Sequence, residues 1–145
     1  MAVSRSAQPP YPAIVLLSAA ALGYEILLMR LFSIIQWHHF AYMMISVALL
    51  GYGAAGAVVT LAQHRLRARF AGAFAGAAGL FGITALLAFL AAQNVGFNAL
   101  EVLWDSRQLA WLALIYALLI VPFFCAATAI CLSFTCFPAH IPRLY

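Results

Sequence analysis

The sequence predicts an all-α polytopic membrane protein of four transmembrane helices, on three observations. Of 145 residues, 68% are hydrophobic and only 7% charged, against roughly a quarter charged in water-soluble domains. Three stretches, 31 to 64, 71 to 100 and 108 to 142, hold no Asp, Glu, Lys or Arg, and each exceeds the ~20 residues that cross a hydrocarbon core of ~30 Å. The arginines cluster between and outside these runs, as they do in loops beside a membrane. A water-soluble globule is excluded. The formal charge of +4 rests on seven Arg, too scattered for a nucleic-acid stripe.

The expected spans are 13–35, 39–62, 71–92 and 109–134. The first contains Glu25 and Arg30, yet the apolar character resumes after each of them. That continuation outweighs reading Arg5 and Ala13 to Leu22 as a secretory signal. Residues 1–12, with Pro9, Pro10 and Pro12, form an aqueous tail, and 135–145 open a further segment. Four spans put Arg5, the loop His64 to Arg69 and Arg143 on one side, so both termini are expected inside. Trp37, Trp104 and Trp111 then fall at the outer interface. Between spans three and four, Phe97, Leu100, Leu103 and Trp104 recur at helical spacing. The stretch 97–107 therefore reads as a helix lying on the membrane, with Glu101 and Asp105 a solvated face rather than a cation site.

The glycines have a packing reading. Gly51, Gly53 and Gly56 spell a nucleotide-type fingerprint, but that motif needs a soluble strand–turn–helix context, and these lie deep in an apolar run. In a bilayer, Gly51, Gly53, Gly56, Gly72 and Gly76 instead let helix backbones approach, the last two as GxxxG. Cys125, Cys131 and Cys136 lack CxxC spacing and read as small apolar side chains. Haem ligation is disfavoured, because His64 and His140 lie in a loop and a tail. No catalytic constellation, metal site or cofactor is expected of this chain alone.

The chemistry-bearing residues are intramembrane. Glu25 falls near the middle of span one, where a charge costs about 2.5–3.5 kcal/mol on insertion scales, so something must compensate it. Arg30 is five residues on, about 140° around the helix, and cannot form an i,i+4 pair with it. A tight turn at Gln36 to His38 would bring span two back alongside. That places His39 and Tyr42 near the depth of Arg30, and Ser46 to Tyr52 near that of Glu25. Tyr24, Glu25, Arg30, His38 and His39 are thus either a polar pocket for a cationic or proton-coupled ligand or hydrogen-bond glue between helices.

The run Leu16-Leu17-Ser18-Ala19-Ala20-Ala21-Leu22-Gly23-Tyr24-Glu25-Ile26-Leu27-Leu28-Met29-Arg30-Leu31, followed by Leu50-Gly51-Tyr52-Gly53-Ala54-Ala55-Gly56, resembles the N-terminal membrane domain of spermidine synthase-like integral membrane proteins. The matching positions are Tyr24, Glu25, Arg30, Leu31, Leu50, Gly51 and Gly56. The closing His140 to Tyr145 resembles the point where such chains continue into another membrane helix, and Pro142 suits a helix's first turn. The resemblance implies a fragment of a longer protein with a cytoplasmic Rossmann-like domain of the aminopropyltransferase and methyltransferase type, using decarboxylated S-adenosylmethionine or a related donor. No catalytic residue carries over. Two functions follow as alternatives. One is a noncatalytic membrane domain that anchors, or handles polyamine substrate for, that transferase. The other is a small transporter-type or assembly subunit with an intramembrane Glu/Arg site. The expected surroundings are the cell membrane's lipid, other membrane helices, a second copy of the chain, or a separately encoded transferase domain.

Overall fold

The computed structural model describes residues 10–36, 38–94 and 106–138. These form four helices, α1 (Tyr11–Gln36), α2 (His38–Ala68), α3 (Phe70–Asn94) and α4 (Ser106–Cys136), and no strand among the described residues. Each is long and apolar enough to cross a membrane. The chain is a multi-pass membrane protein. Its helices exist because lipid offers no donor or acceptor, so every backbone group must be satisfied within its own segment.

The ends are where the structure departs from the expected boundaries. α1 begins at Tyr11, with Pro12 in its first turn, where a missing N–H costs nothing; the N–H of Ile14 donates to the Pro10 carbonyl at 3.1 Å. The expected loop His64 to Arg69 is helical as far as Ala68, leaving Arg69 alone as the turn into α3. Helical propensity explains this, since Leu, Ala, Gln and Arg are all good helix formers. Arg65 and Arg67 also sit in the last turn of α2, where cations offset the carbonyl end of the dipole. The Arg69 N–H donates back to Leu66 at 3.2 Å, and the Arg69 carbonyl accepts from Ala73 at 2.9 Å. Trp37, Trp104, most of the expected surface helix 97–107 with Glu101 and Asp105, and His140 to Tyr145 lie outside the described residues.

α4 is the hub. It packs along α2 and α3, which barely touch each other although one residue joins them, while α1 covers the seam from α2 across α4. The direction of each pair follows from its contacts. Gly51 meets Phe123 and Met43 meets Tyr116, so α2 runs parallel to α4. Phe70, at the start of α3, stacks edge-on against Phe137 just beyond the end of α4, so these two run antiparallel. The bundle alternates up and down, as four spans with short connections require.

Two apolar clusters fill it. One joins Leu28 and Phe32 of α1, Met44, Val47 and Ala48 of α2, Ala88 of α3, and Ile115, Leu119 and Phe123 of α4. The other joins Leu17 and Ala21 to Phe81, Ala126 and Ala129. Lipid tails are as apolar as these side chains, so the clusters are held by close packing rather than by escape from water.

Gly51 is where packing is tightest. A Cβ placed there would lie 2.8 Å from the Phe123 Cβ, 3.2 Å from the Ile120 carbonyl oxygen and 3.2 Å from the Phe124 nitrogen. Beside it, the fully buried Pro122 interrupts α4, removing the donor that would serve the Leu118 carbonyl. Gly53, Gly56, Gly72 and Gly76 meet nothing within 4 Å. Among the described residues the GxxxG face of α3 therefore packs on no other helix, because α4 lies on the other side of α3.

Gly51→Ala should cost about 1–3 kcal/mol through overpacking, whereas Gly76→Ala should be neutral or stabilising by up to about 1 kcal/mol through helix propensity. Unfolding by denaturing detergent in mixed micelles compares the two; equal effects would contradict the packing described here.

Candidate functional site

The middle of the bundle is built around Phe123, fully buried on α4. Tyr24 approaches from α1, with ring centroids 5.6 Å apart and planes tilted by 47°. Tyr52 approaches from α2 at 5.8 Å, edge to face. Tyr24 also meets Phe81 of α3 edge-on at 6.1 Å. Such arrangements place the positive edge of one ring against the negative face of the next. All four helices thus contribute a ring or a backbone to one contact, with Gly51 supplying the gap that admits the Phe123 side chain.

Tyr24 is half-buried, and its hydroxyl donates to the Ala85 carbonyl oxygen of α3 at 3.2 Å. The bond crosses between helices whose backbones are otherwise internally satisfied, so it joins α1 to α3. Glu25, one residue on, is half-buried on the side toward α2, within electrostatic reach of Tyr52. Among the described residues it has no ion pair or hydrogen-bond partner. Arg30 is exposed, away from both.

The five residues singled out in the sequence are therefore not gathered into one pocket by anything described. Tyr24 turns to α3 and α4, Glu25 toward α2, and Arg30 outward. Of the depth-matched candidates for Glu25, Tyr52 lies in electrostatic reach. His38 and His39 belong to the first turn of α2, and their side chains lie outside the described residues.

Other polar groups are spent locally. The hydroxyls of Thr60, Thr84, Thr128 and Ser133 donate to carbonyls four residues back at 2.6–2.9 Å, and Thr135 donates to Leu132 at 2.9 Å. This is how hydroxyls are satisfied within apolar helices. The Tyr116 hydroxyl donates to the sulfur of Met43 at 2.8 Å. Cys125, Cys131 and Cys136 are free thiols. Among the described residues, no three His, Cys, Asp or Glu converge to hold a metal ion.

Among the described residues, grooves on the bundle's surface include two between helix pairs. One, of about 270 Å³, lies between α1 and α3, lined by Tyr24, Leu27, Ala85, Leu86 and Phe89. The other, of about 230 Å³, lies between α2 and α4, lined by Met43, Ser46, Val47, Leu50, Tyr116 and Ile120. Their walls are almost wholly apolar, so they suit hydrocarbon rather than a polar substrate. Compared with known proteins, the chain matches no family model, no curated protein and no solved structure.

The sequence reading missed Phe123, Phe81 and Pro122. Eleven phenylalanines spread through apolar runs give no pattern that singles out one. Pro122 offered the better signal, since a proline inside a span marks a place where the backbone must be accommodated by its neighbours.

Tyr24→Phe should cost about 0.6 kcal/mol, the average for an interhelical hydrogen bond in a membrane protein. Phe123→Ala should cost roughly 3–5 kcal/mol through the cavity it leaves. Detergent unfolding of the two variants checks the order; a larger loss from Tyr24→Phe would place the weight on the hydrogen bond instead of the ring cluster.

Proposed function

We propose that the chain is a noncatalytic membrane-spanning domain of a spermidine synthase-like protein of the cell membrane. It anchors, or handles polyamine substrate for, a cytoplasmic transferase domain. The reading rests first on the residues that resemble that family. The observation in its support is that the two resembling stretches, although on different helices, meet at one point: the ring of Tyr24 and the backbone of Gly51 both pack on Phe123. That gives these motif residues a role in joining helices, which an anchoring domain requires and which needs no catalytic group. Both termini are on the cytoplasmic side by the placement of the arginines, where a transferase would be attached.

A second reading is favoured by Glu25, which sits near the middle of α1, half-buried and without a partner among the described residues. An intramembrane carboxylate in that setting is a candidate proton or cation site, which would make the chain a transporter-type or assembly subunit.

The DNA following codon 145 should encode further membrane helices and a Rossmann-type domain, in the same frame or as a neighbouring gene; unrelated sequence there would count against the first reading. In proteoliposomes, Glu25→Gln should leave ion movement unchanged if the domain is an anchor, and loss of ion-coupled uptake would favour the second reading.

A further inference from the structure

We infer that the chain forms a parallel homodimer through the outer face of α1, with Glu25 of each copy paired to Arg30 of the other. The argument begins with the two stripes of α1. One turns inward and is used by the bundle: Ile14, Leu17, Ala21, Tyr24, Leu28 and Phe32. The other comprises Val15, Ala19, Leu22, Ile26, Met29 and Ser33, spaced alternately by four and three. Val15, Leu22 and Ile26 are 67%, 58% and 62% exposed, Ala19 and Ser33 are also exposed, and Met29, at the edge of the stripe, is half-buried and packs in part against the inner cluster. A 4–3 spacing averages 3.5 residues per turn, the repeat of a left-handed helix pair, and left-handed crossings are the commoner ones in membranes.

The two charges of α1 fall on the flanks of this stripe. With Ile26 at position a and Met29 at position d, Glu25 takes position g of one heptad and Arg30 position e of the next. In a parallel pair, g of one helix faces the following e of its partner, and oppositely charged residues there fix partner and orientation. Within one chain the two are about 140° apart and do not meet; a second α1 brings them together twice, once on each flank. The axial offset of five residues, about 7.5 Å, is spanned by the long arginine side chain extended back along its helix, as at g and following e positions of parallel coiled coils. Two copies inserted with the same topology are necessarily parallel, so a twofold axis along the membrane normal generates both pairs.

The charge balance singles out a second copy as the occupant of this face. Glu25 lacks an ion pair or hydrogen bond among the described residues, and Arg30 is exposed on a stretch that otherwise faces lipid. Tyr52 of α2 lies within reach of Glu25 but carries no positive charge to offer. Each copy thus holds, on opposite flanks of the stripe, an acid on the side toward α2 and an exposed base, neither ion-paired among the described residues, at the offset that the other copy answers. The inference is compatible with the anchoring role and competes with the transporter-type reading, which needs Glu25 as a carboxylate without an ion pair.

The test places single cysteines in the full chain in native membranes, with Cys125, Cys131 and Cys136 changed to Ala. Oxidation should link Ile26→Cys into a disulfide dimer several-fold more than Leu27→Cys, at the same depth but on the face toward the α1–α3 groove. Dimerisation is then measured by energy transfer between labelled copies for Glu25→Gln, Arg30→Gln and the double variant. Each single change removes both pairs and should weaken dimerisation by roughly tenfold, and the double variant should lose no more than either alone. Equal linking from positions 26 and 27, no linking in folded protein, or additive losses in the double variant would overturn the inference. If the glutamine variants fail to insert, the cysteine pair alone decides whether the face is occupied by a second copy.

Discussion

The fold depends on one close approach, the backbone of α2 against α4 at Gly51. In water a bundle is driven together by removing apolar surface from solvent, but between helices in lipid that drive is absent, and contact must be won through van der Waals complementarity and interhelical polar bonds. Gly51 provides the complementarity, since no side chain stands between its backbone and Phe123. The ring cluster then spreads the contact outward, with Tyr52, Tyr24 and Phe81 each meeting Phe123 or its neighbour. Pro122 falls in the same stretch of α4, where the helix has lost a donor and the proline itself is fully buried.

How far the sequence was legible follows from what lipid demands. Span number and fold class were readable because length and apolarity are set by the bilayer and do not depend on which helix touches which. The ends were less readable. The stretch Arg65 to Ala68 looks like a loop by charge, yet it continues α2, because past the hydrocarbon a helix of good formers needs no apolar surroundings. Helix order was not readable at all. The glycines mark α2 and α3 as helices that other helices approach, without saying which. α4 stands between the two, and among the described residues Gly51 is the one of the expected packing glycines that meets a neighbouring helix within 4 Å.

The candidate site was legible as a set of residues and not as an arrangement. Glu25 and Arg30 stand out because a charge in a span is rare, and their angular separation follows from helix geometry alone. What periodicity could not convey is that Tyr24 and Glu25, adjacent in sequence, serve different neighbours, one bonded to α3 and the other turned toward α2. The structure thus divides the polar content of α1 among three directions, with Tyr24 tying the bundle, Glu25 at the seam with α2 and Arg30 on the exposed side.

The single-residue turn at Arg69 has a consequence for biogenesis. During synthesis α2 and α3 leave the ribosome consecutively and enter the bilayer joined by a link with no slack, yet their mature positions are held apart by a rod that has not been made. The nascent hairpin must therefore wait splayed, its inner walls wetted by lipid, until α4 threads between them and displaces those lipids. The bundle closes from the inside, its central strut arriving after the walls it joins.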